Sequence, residues 1–277
     1  MSFRTELIDI GPNIKISALI SRSPNQSQQA KSPTVIFLHF WGGSSRTWSL
    51  VNPLVAQKYP TTAFDFRGWG GSTGPNDADA YSIAALASDI DGALKALNLD
   101  TVVLVGLSMG AKVAQLLAGS LPAHAVSGLV LVSPAPSTAL TLPSEMRDQQ
   151  IHAYDNPDSA EFVARNVLTE SFRARDLPDF VVDDMLRGSR WAREAWPAYA
   201  MEEDVSEAAG RIAVPVLIVA SANDVVEPLV RVRTEVCGRI SGARMEVVPG
   251  SGHLSPLDAP ESVAEHILGF IGGLDLS

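Results

Sequence analysis

Residues 101–121 read TVVLVGLSMGAKVAQLLAGSL, and no other stretch limits the possible folds so tightly. The stretch opens on an apolar, β-branched run at 102–105 and closes in a helical pattern rich in Ala and Leu. Between the two stands Gly106-Leu107-Ser108-Met109-Gly110, a G-x-S-x-G turn. A strand feeding a helix through so short a turn forces Ser108 into a strained backbone conformation at the tip. Glycines two residues to either side remove the Cβ atoms that would clash there. The Ser108 hydroxyl is thereby lifted clear of the sheet, at the positive N-terminal end of the helix. Strand, turn and helix in this order are the context of a nucleophilic serine rather than of a turn serine.

The strand–helix alternation extends over most of the chain. Residues 5–10 and 13–20 alternate polar and apolar around Gly11-Pro12 and predict an antiparallel hairpin at a sheet edge. A polar loop at 21–33 leads to a buried strand at 34–38, a helix at 46–58, a short strand at 61–65 and a helix at 82–97. The last of these places Ile83, Leu86, Ile90, Leu94 and Leu97 on one face. A strand at 101–106, a helix at 109–121 and a strand at 129–132 follow. From 133 to 210 no strand-like run occurs. Helical segments at 144–154, 158–173, 178–187, 190–200 and 202–209 are punctuated instead by Pro143, Pro157, Pro178 and Pro197. Alternation resumes with strands at 216–220 and 244–248 and helices at 227–237 and 261–270. This pattern predicts an α/β fold with a mostly parallel central sheet flanked by helices. Residues 1–133 and 211–277 form its core, and 134–210 an inserted helical cap over the strand C-terminal ends, where such folds bind ligands.

With 277 residues, 46% of them hydrophobic, the chain can bury a large single core and carry an insertion. Its net charge of -10 speaks against nucleic acid and anionic membranes as partners. Cys237 is the one cysteine, so no intrachain disulfide is expected. A leader with an apolar centre and a run of membrane-spanning length are both missing, which makes a cytoplasmic protein the expectation.

A serine hydroxyl is a weak nucleophile at neutral pH; it needs a base, and the base needs an orienter. His253 lies in PGSGH, directly after the last strand, where Gly250 and Gly252 let the loop turn sharply. It is the candidate base. His39 ends a strand before FWGGSS and reads as a structural hydrogen-bonder; His124, His152 and His266 read as surface residues. Asp224 closes PVLIVASAND and is the candidate orienter, with Glu227 one turn further on. The segment Ser133-Pro134-Ala135 offers no acid after the preceding strand. An oxyanion needs donors. The backbone N–H of Met109 is placed for this by the turn, and that of Phe40, in the loop after strand 34–38, is the second candidate. Trp41, Trp191 and Trp196 are candidate substrate contacts, with Trp69 a further candidate wall; packing of the cap onto its own helices is the competing reading. No His, Asp or Glu cluster has metal-ligand spacing, and GWGGSTG at 68–74 lacks the lysine of a phosphate loop, so neither metal nor cofactor is expected.

HFWGGSS at 39–45, DFRGWGGS at 65–72, GLSMG at 106–110, PVLIVASAND at 215–224 and PGSGHLSPLDAPE at 249–261 together resemble the α/β-hydrolase superfamily. The resemblance is to its capped group of small esterases, lactonases and cofactor-free haloperoxidase-like perhydrolases. The chain order Ser108, Asp224, His253 is that of the family. The resemblance implies a serine hydrolase acting on a small, largely apolar carboxylic ester or lactone. The same triad would also serve a C–C bond hydrolase, a perhydrolase or a slow-turnover small-molecule receptor, and the cap and pocket decide among these. Serine rather than aspartate at the turn speaks against haloalkane and epoxide chemistry. Phe40 stands where the family usually has glycine, which narrows the acyl pocket. Asp65 and Arg67 match a loop that is structural in the family.

Overall fold

The structure is a computed structural model that describes residues 2–21, 32–122 and 125–275. Most of the polar loop at 21–33, and His124, lie outside the described residues. The strands are β1 (Phe3–Gly11), β2 (Ile14–Ser21), β3 (Thr34–Leu38), β4 (Thr61–Phe64), β5 (Val102–Leu107), β6 (Val126–Val132), β7 (Val216–Ser221) and β8 (Arg244–Val248). They form one sheet in the order β1-β2-β4-β3-β5-β6-β7-β8. The predicted hairpin β1–β2 sits at one edge, and β2 pairs antiparallel with β4; every later pairing is parallel. Helices on both faces leave β3, β5, β6 and β7 almost wholly buried, which is why these strands read as continuous apolar runs. Edge strand β8 is mostly exposed.

The helices are α1 (Asn52–Val55), α2 (Ile83–Ala96), α3 (Met109–Ser120), α4 (Ser144–Ile151), α5 (Pro157–Val163), α6 (Phe180–Arg187), α7 (Arg190–Ala198), α8 (Ser206–Ala209), α9 (Leu229–Arg231), α10 (Ser255–Asp258) and α11 (Pro260–Gly272). Ser82 caps α2 by accepting from the Ala85 N–H, and the face bearing Ile83, Leu86, Ile90 and Leu94 is buried. Several predicted helices are shorter or broken, the one expected at 202–209 being reduced to α8, and three show the cause. The helix expected at 46–58 is a 3-10 turn at Ser45–Trp48 followed by α1, because Pro53 has no N–H to continue the first turn. The helix expected at 227–237 starts only after Pro228 and loosens into a wide turn at Val232–Val236. There the Thr234 hydroxyl donates to the Val230 carbonyl at 2.9 Å, in competition with the backbone. The helix expected at 158–173 ends at Leu168, where the N–H and hydroxyl of Thr169 both close on the Ala164 carbonyl.

Helices α4 to α8 all lie between β6 and β7. They cover the loops at the C-terminal ends of the strands. The Ser189 N–H donates to Gly68 O, Trp41 Nε1 to Arg193 O, the Leu254 N–H to Leu168 O, and the Ser44 hydroxyl to the Asp184 carboxylate. Among the described residues no helix is long and apolar enough to cross a membrane.

Candidate active site

Ser108 has φ +55 and ψ -114, a conformation that a residue with a Cβ adopts only under strain of about 1–3 kcal/mol. Strand β5 and helix α3 meet backbone to backbone around it. A Cβ on Gly106 would lie 2.4 Å from Gly110 O, and one on Gly110 would lie 2.5 Å from His39 O. Any side chain at either position would push the turn apart. The Ser108 N–H bonds Val132 O at 3.1 Å, and its carbonyl accepts from Ala111 and Lys112 in the first turn of α3. Its side chain makes no capping bond to the helix that it precedes. The backbone is thus fully engaged, while the hydroxyl is spared the structural duty a turn serine performs.

Asp224 and His253 arrive from neighbouring strand ends. The loops after β7 and β8 are tied together by Ala222 N–H to Val248 O at 3.0 Å and Asn223 N–H to Ser251 O at 2.9 Å. Gly250 has φ +63, which only glycine adopts readily. At Gly252 the need is space, since a Cβ would come within 3.1 Å of the backbone at 168–170. His253, 2% exposed, directs Nδ1 at Asp224 Oδ2, 2.9 Å away. The other oxygen of Asp224 accepts from the Val226 and Glu227 N–H groups, both at 2.9 Å. Asp224 therefore caps its own turn and holds the histidine ring. The ring that donates from Nδ1 keeps its lone pair on Nε2. Burial disfavours the imidazolium, but the field and hydrogen bond of Asp224, with the field of Glu227, outweigh it and hold His253 above its ordinary pKa.

Glu227 is turned elsewhere. It is 2% exposed and pairs with Arg231 Nη1 at 3.3 Å, and burial pushes its carboxyl up to about 7. Asp224, not Glu227, thus bonds the ring of His253. His39 is the hydrogen-bonder that its position predicts. Burial holds it near pKa 4, so it is neutral, with Nδ1 donating to Phe40 O and Nε2 accepting from the Phe66 N–H. Those two bonds fix the loop after β3. Among the described residues the backbone N–H groups of Phe40, Trp41 and Met109 have no protein acceptor. Asp65 accepts from the Ser45 and Gly71 N–H groups, and Arg67 pairs with Asp89; both brace loops. His152 is exposed and pairs with Asp155.

The tryptophans are engaged in packing. Trp41 stacks on Tyr154 with ring centroids 4.2 Å apart, and Tyr154 donates back to the Trp41 carbonyl at 2.9 Å. Trp69 lies against Gly188, Trp196 is buried, and Arg190 covers the ring of Trp191. A cavity of about 10 Å³ lies beside the loop after β3 and the loop that carries His253. It holds about one water. Phe40, Gly43, Phe180, Val181, Asp184 and Leu254 line it, and Trp41, Trp191 and Trp196 do not. The α6 residues at this wall were missed from sequence. Their signal was the spacing of Val181, Asp184 and Met185, one buried face of an amphipathic helix.

A family model described as alpha/beta hydrolase fold matches residues 33–260. Over 261 residues the chain is 27% identical to a putative non-heme bromoperoxidase, BpoC, of Mycobacterium tuberculosis, covering 87% of this chain and 94% of that one. It is 26% identical over 237 residues to 3-oxoadipate enol-lactonase 2 of Acinetobacter baylyi, covering 84% of this chain and 86% of that one. An esterase from Exiguobacterium antarcticum superposes with a TM-score of 0.80 at 23% identity, covering 94% of this chain and 96% of that structure. The match spans strands β3 to β8, the strained serine turn and the Asp224–His253 pair, and the chain belongs to the alpha/beta hydrolase fold family.

Proposed function

We propose that this protein is a serine hydrolase that cleaves a small, largely apolar carboxylic ester or lactone through an acyl-enzyme on Ser108. The observation that carries this reading is the conjunction of a strained serine with no structural bond on its hydroxyl and a buried histidine held by Asp224 at 2.9 Å. Ser108 Oγ attacks the carbonyl carbon while His253 Nε2 takes its proton. Asp224 keeps the ring in the required tautomer and stabilises the imidazolium. The N–H groups of Met109 and Phe40, free of protein acceptors, receive the negative charge on the carbonyl oxygen. His253 then returns the proton to the departing alkoxide, and the C–O bond breaks. A water gives its proton to His253 and its oxygen to the acyl carbon, which releases the acid and restores Ser108.

The small size of the cavity beside Phe40 speaks for a short acyl group, and the net charge of -10 for a small neutral substrate rather than a polyanion. An esterase and an enol-lactonase among the similar proteins support the same substrate class. Turnover of p-nitrophenyl esters of graded acyl length and a small lactone panel tests the reading, with Ser108→Ala alongside. Turnover of short esters that disappears in Ser108→Ala is expected. Near wild-type turnover in that variant would rule the mechanism out.

A further inference from the structure

Lys112 is an unexpected residue at its position. It lies buried on α3, one turn after Ser108, in a helix whose other buried residues are apolar or glycine apart from Gln115. It is 0% exposed. Burying an ammonium costs several kcal/mol unless its hydrogens are well bonded. Here Nζ donates to Thr138 O at 3.0 Å and to Met201 O at 2.8 Å. Those two carbonyls stand where the chain enters and leaves the block of cap helices α4–α7. The two strands of this neck are also joined directly, by the Leu140 N–H to Met201 O at 2.9 Å and the Val205 N–H to Ser137 O at 2.7 Å. Other polar ties of the insertion to the core lie farther out, two of them backbone bonds (Ser189 N–H to Gly68 O and Leu254 N–H to Leu168 O) and others through side chains, such as Ser44 and Arg46 to Asp184.

We infer that Lys112 is a positioning residue: its buried amine donates to both strands of the neck, pins them to the helix that follows Ser108 and so sets the size of acyl group that the site accepts. The inference rests on the ester-hydrolase reading for its kinetic consequence, and on geometry alone for the pin. The link from neck to cavity runs through the cap helices that the neck carries. Phe180, Val181 and Asp184 of the insertion form one wall of the 10 Å³ cavity, and Phe40 and Leu254 of the core form the other. A neck free to shift on α3 would move the first wall against the second and enlarge the cavity. Ser108 keeps its bonds to Val132 O of β6 and to the first turn of α3, and the one bond it takes from the insertion, from the Ala135 N–H at 3.3 Å, is held in place by Gln115 Nε2 on Ala135 O at 3.0 Å.

Lys112→Met keeps the shape of the side chain and removes the donors. Met201 O retains the Leu140 N–H in that variant, so the neck keeps one bond. The preference of kcat/KM for the acetyl over the octanoyl ester is expected to fall about tenfold or more, and to return in Lys112→Arg, which restores cation and donors. The ratio is unaffected by the fraction of protein that folds. An equal loss on all esters, or no change, would overturn the inference.

Wild-type protein supplies a second readout that needs no substrate. Burial brings the Lys112 pKa down from 10.5 to about 8, against the upward fields of Glu203, Asp204 and Glu227. The other carboxylates on helices packed against α3 are paired: Asp89 with Arg67, Asp91 with Lys95 and Glu207 with Arg211. A neck opening that exposes Lys112 restores its ordinary pKa and takes up a proton. Such an opening becomes rarer by about tenfold per pH unit between about 8 and 10.5. Hydrogen exchange at the Leu140 and Val205 amides, corrected for intrinsic rate, is expected to slow accordingly, while amides of the β1–β2 hairpin show no such trend. Flat protection at the neck would overturn the pin. If wild-type protein cleaves no ester, the hydrolase reading fails, and the exchange experiment still decides the role of Lys112.

Discussion

On the core side of the site, Gly110 approaches the carbonyls of Leu38 and His39 so closely that a methyl group would not fit. On the insertion side, the same β3 loop is met by side chains: Tyr154 on Trp41, Asp184 on Ser44 and Arg46, and the indole of Trp41 on the Arg193 carbonyl. The first contact is backbone on backbone and admits one arrangement. The second is a set of polar and aromatic contacts, each separable from the others. Under the proposed function, the contrast would let one part of the site stay rigid for chemistry while its roof admits and releases a ligand. It also separates two kinds of mutation, those that stop the reaction and those that change what reacts.

The largest effect is expected at the orienting carboxylate. Asp224→Asn should lower kcat by about 10³–10⁴-fold, through loss of the imidazole tautomer, with the fold retained. Steady-state kinetics on a short ester, beside Glu227→Gln, would check this; a silent Asp224→Asn with a dead Glu227→Gln would reverse the assignment. Next, Gly106→Ala drives a methyl into the Gly110 carbonyl and should cost about 3 kcal/mol of stability in a urea titration. A variant as stable as wild type would show that the backbone contact is looser than described. Breaking the roof should cost less. Asp184→Ala frees Ser44 and Arg46, and Arg46 is exposed enough to be solvated, so about 1 kcal/mol is expected, with KM changed more than kcat. A fall confined to kcat would mean that Asp184 acts on the chemistry.

The smallest effect concerns pH. A general base works when neutral, so kcat/KM falls as pH drops through the pKa of His253. Asp224 and Glu227 raise that pKa, which places the acid limb above the ordinary imidazole value of 6.5. Glu227→Gln removes one of the two negative fields and should move the limb to lower pH. A pH–rate profile that does not shift would mean that Glu227 exerts no field on His253, because it is protonated over that range or neutralised by Arg231.

The core side was legible in the sequence because its constraints are local. Gly106 and Gly110 bracket Ser108 within five residues, and Asp224 and His253 each stand within a few residues of an apolar strand that fixes their position. The parallel sheet could be read from runs of Val, Ile and Leu for the same reason. The roof was not legible because its contacts join residues far apart in sequence. Asp184 meets Ser44 and Arg46 across about 140 positions, and Lys112 meets Met201 across 89. Trp41 and Trp196 carried the expected aromatic signal; both pack within the protein, and the insertion residues at the wall of the cavity are Phe180, Val181 and Asp184. Lys112 had a visible signal, a cation in a stretch at 111–118 that is apolar apart from it and Gln115, which a helix reading alone passes over as a surface lysine. Where helices fell short, at Pro53 and Pro228, the proline was in plain view and the missing N–H is the cause.

The most direct measurement is the mass of the protein during turnover of a short p-nitrophenyl ester, quenched in acid and mapped by peptide. An acyl group on the peptide that carries Ser108, absent in Ser108→Ala and lost with time as acid is released, is the predicted result. Turnover with no adduct on that peptide, or an adduct on another residue, would contradict the assignment of Ser108 as the nucleophile.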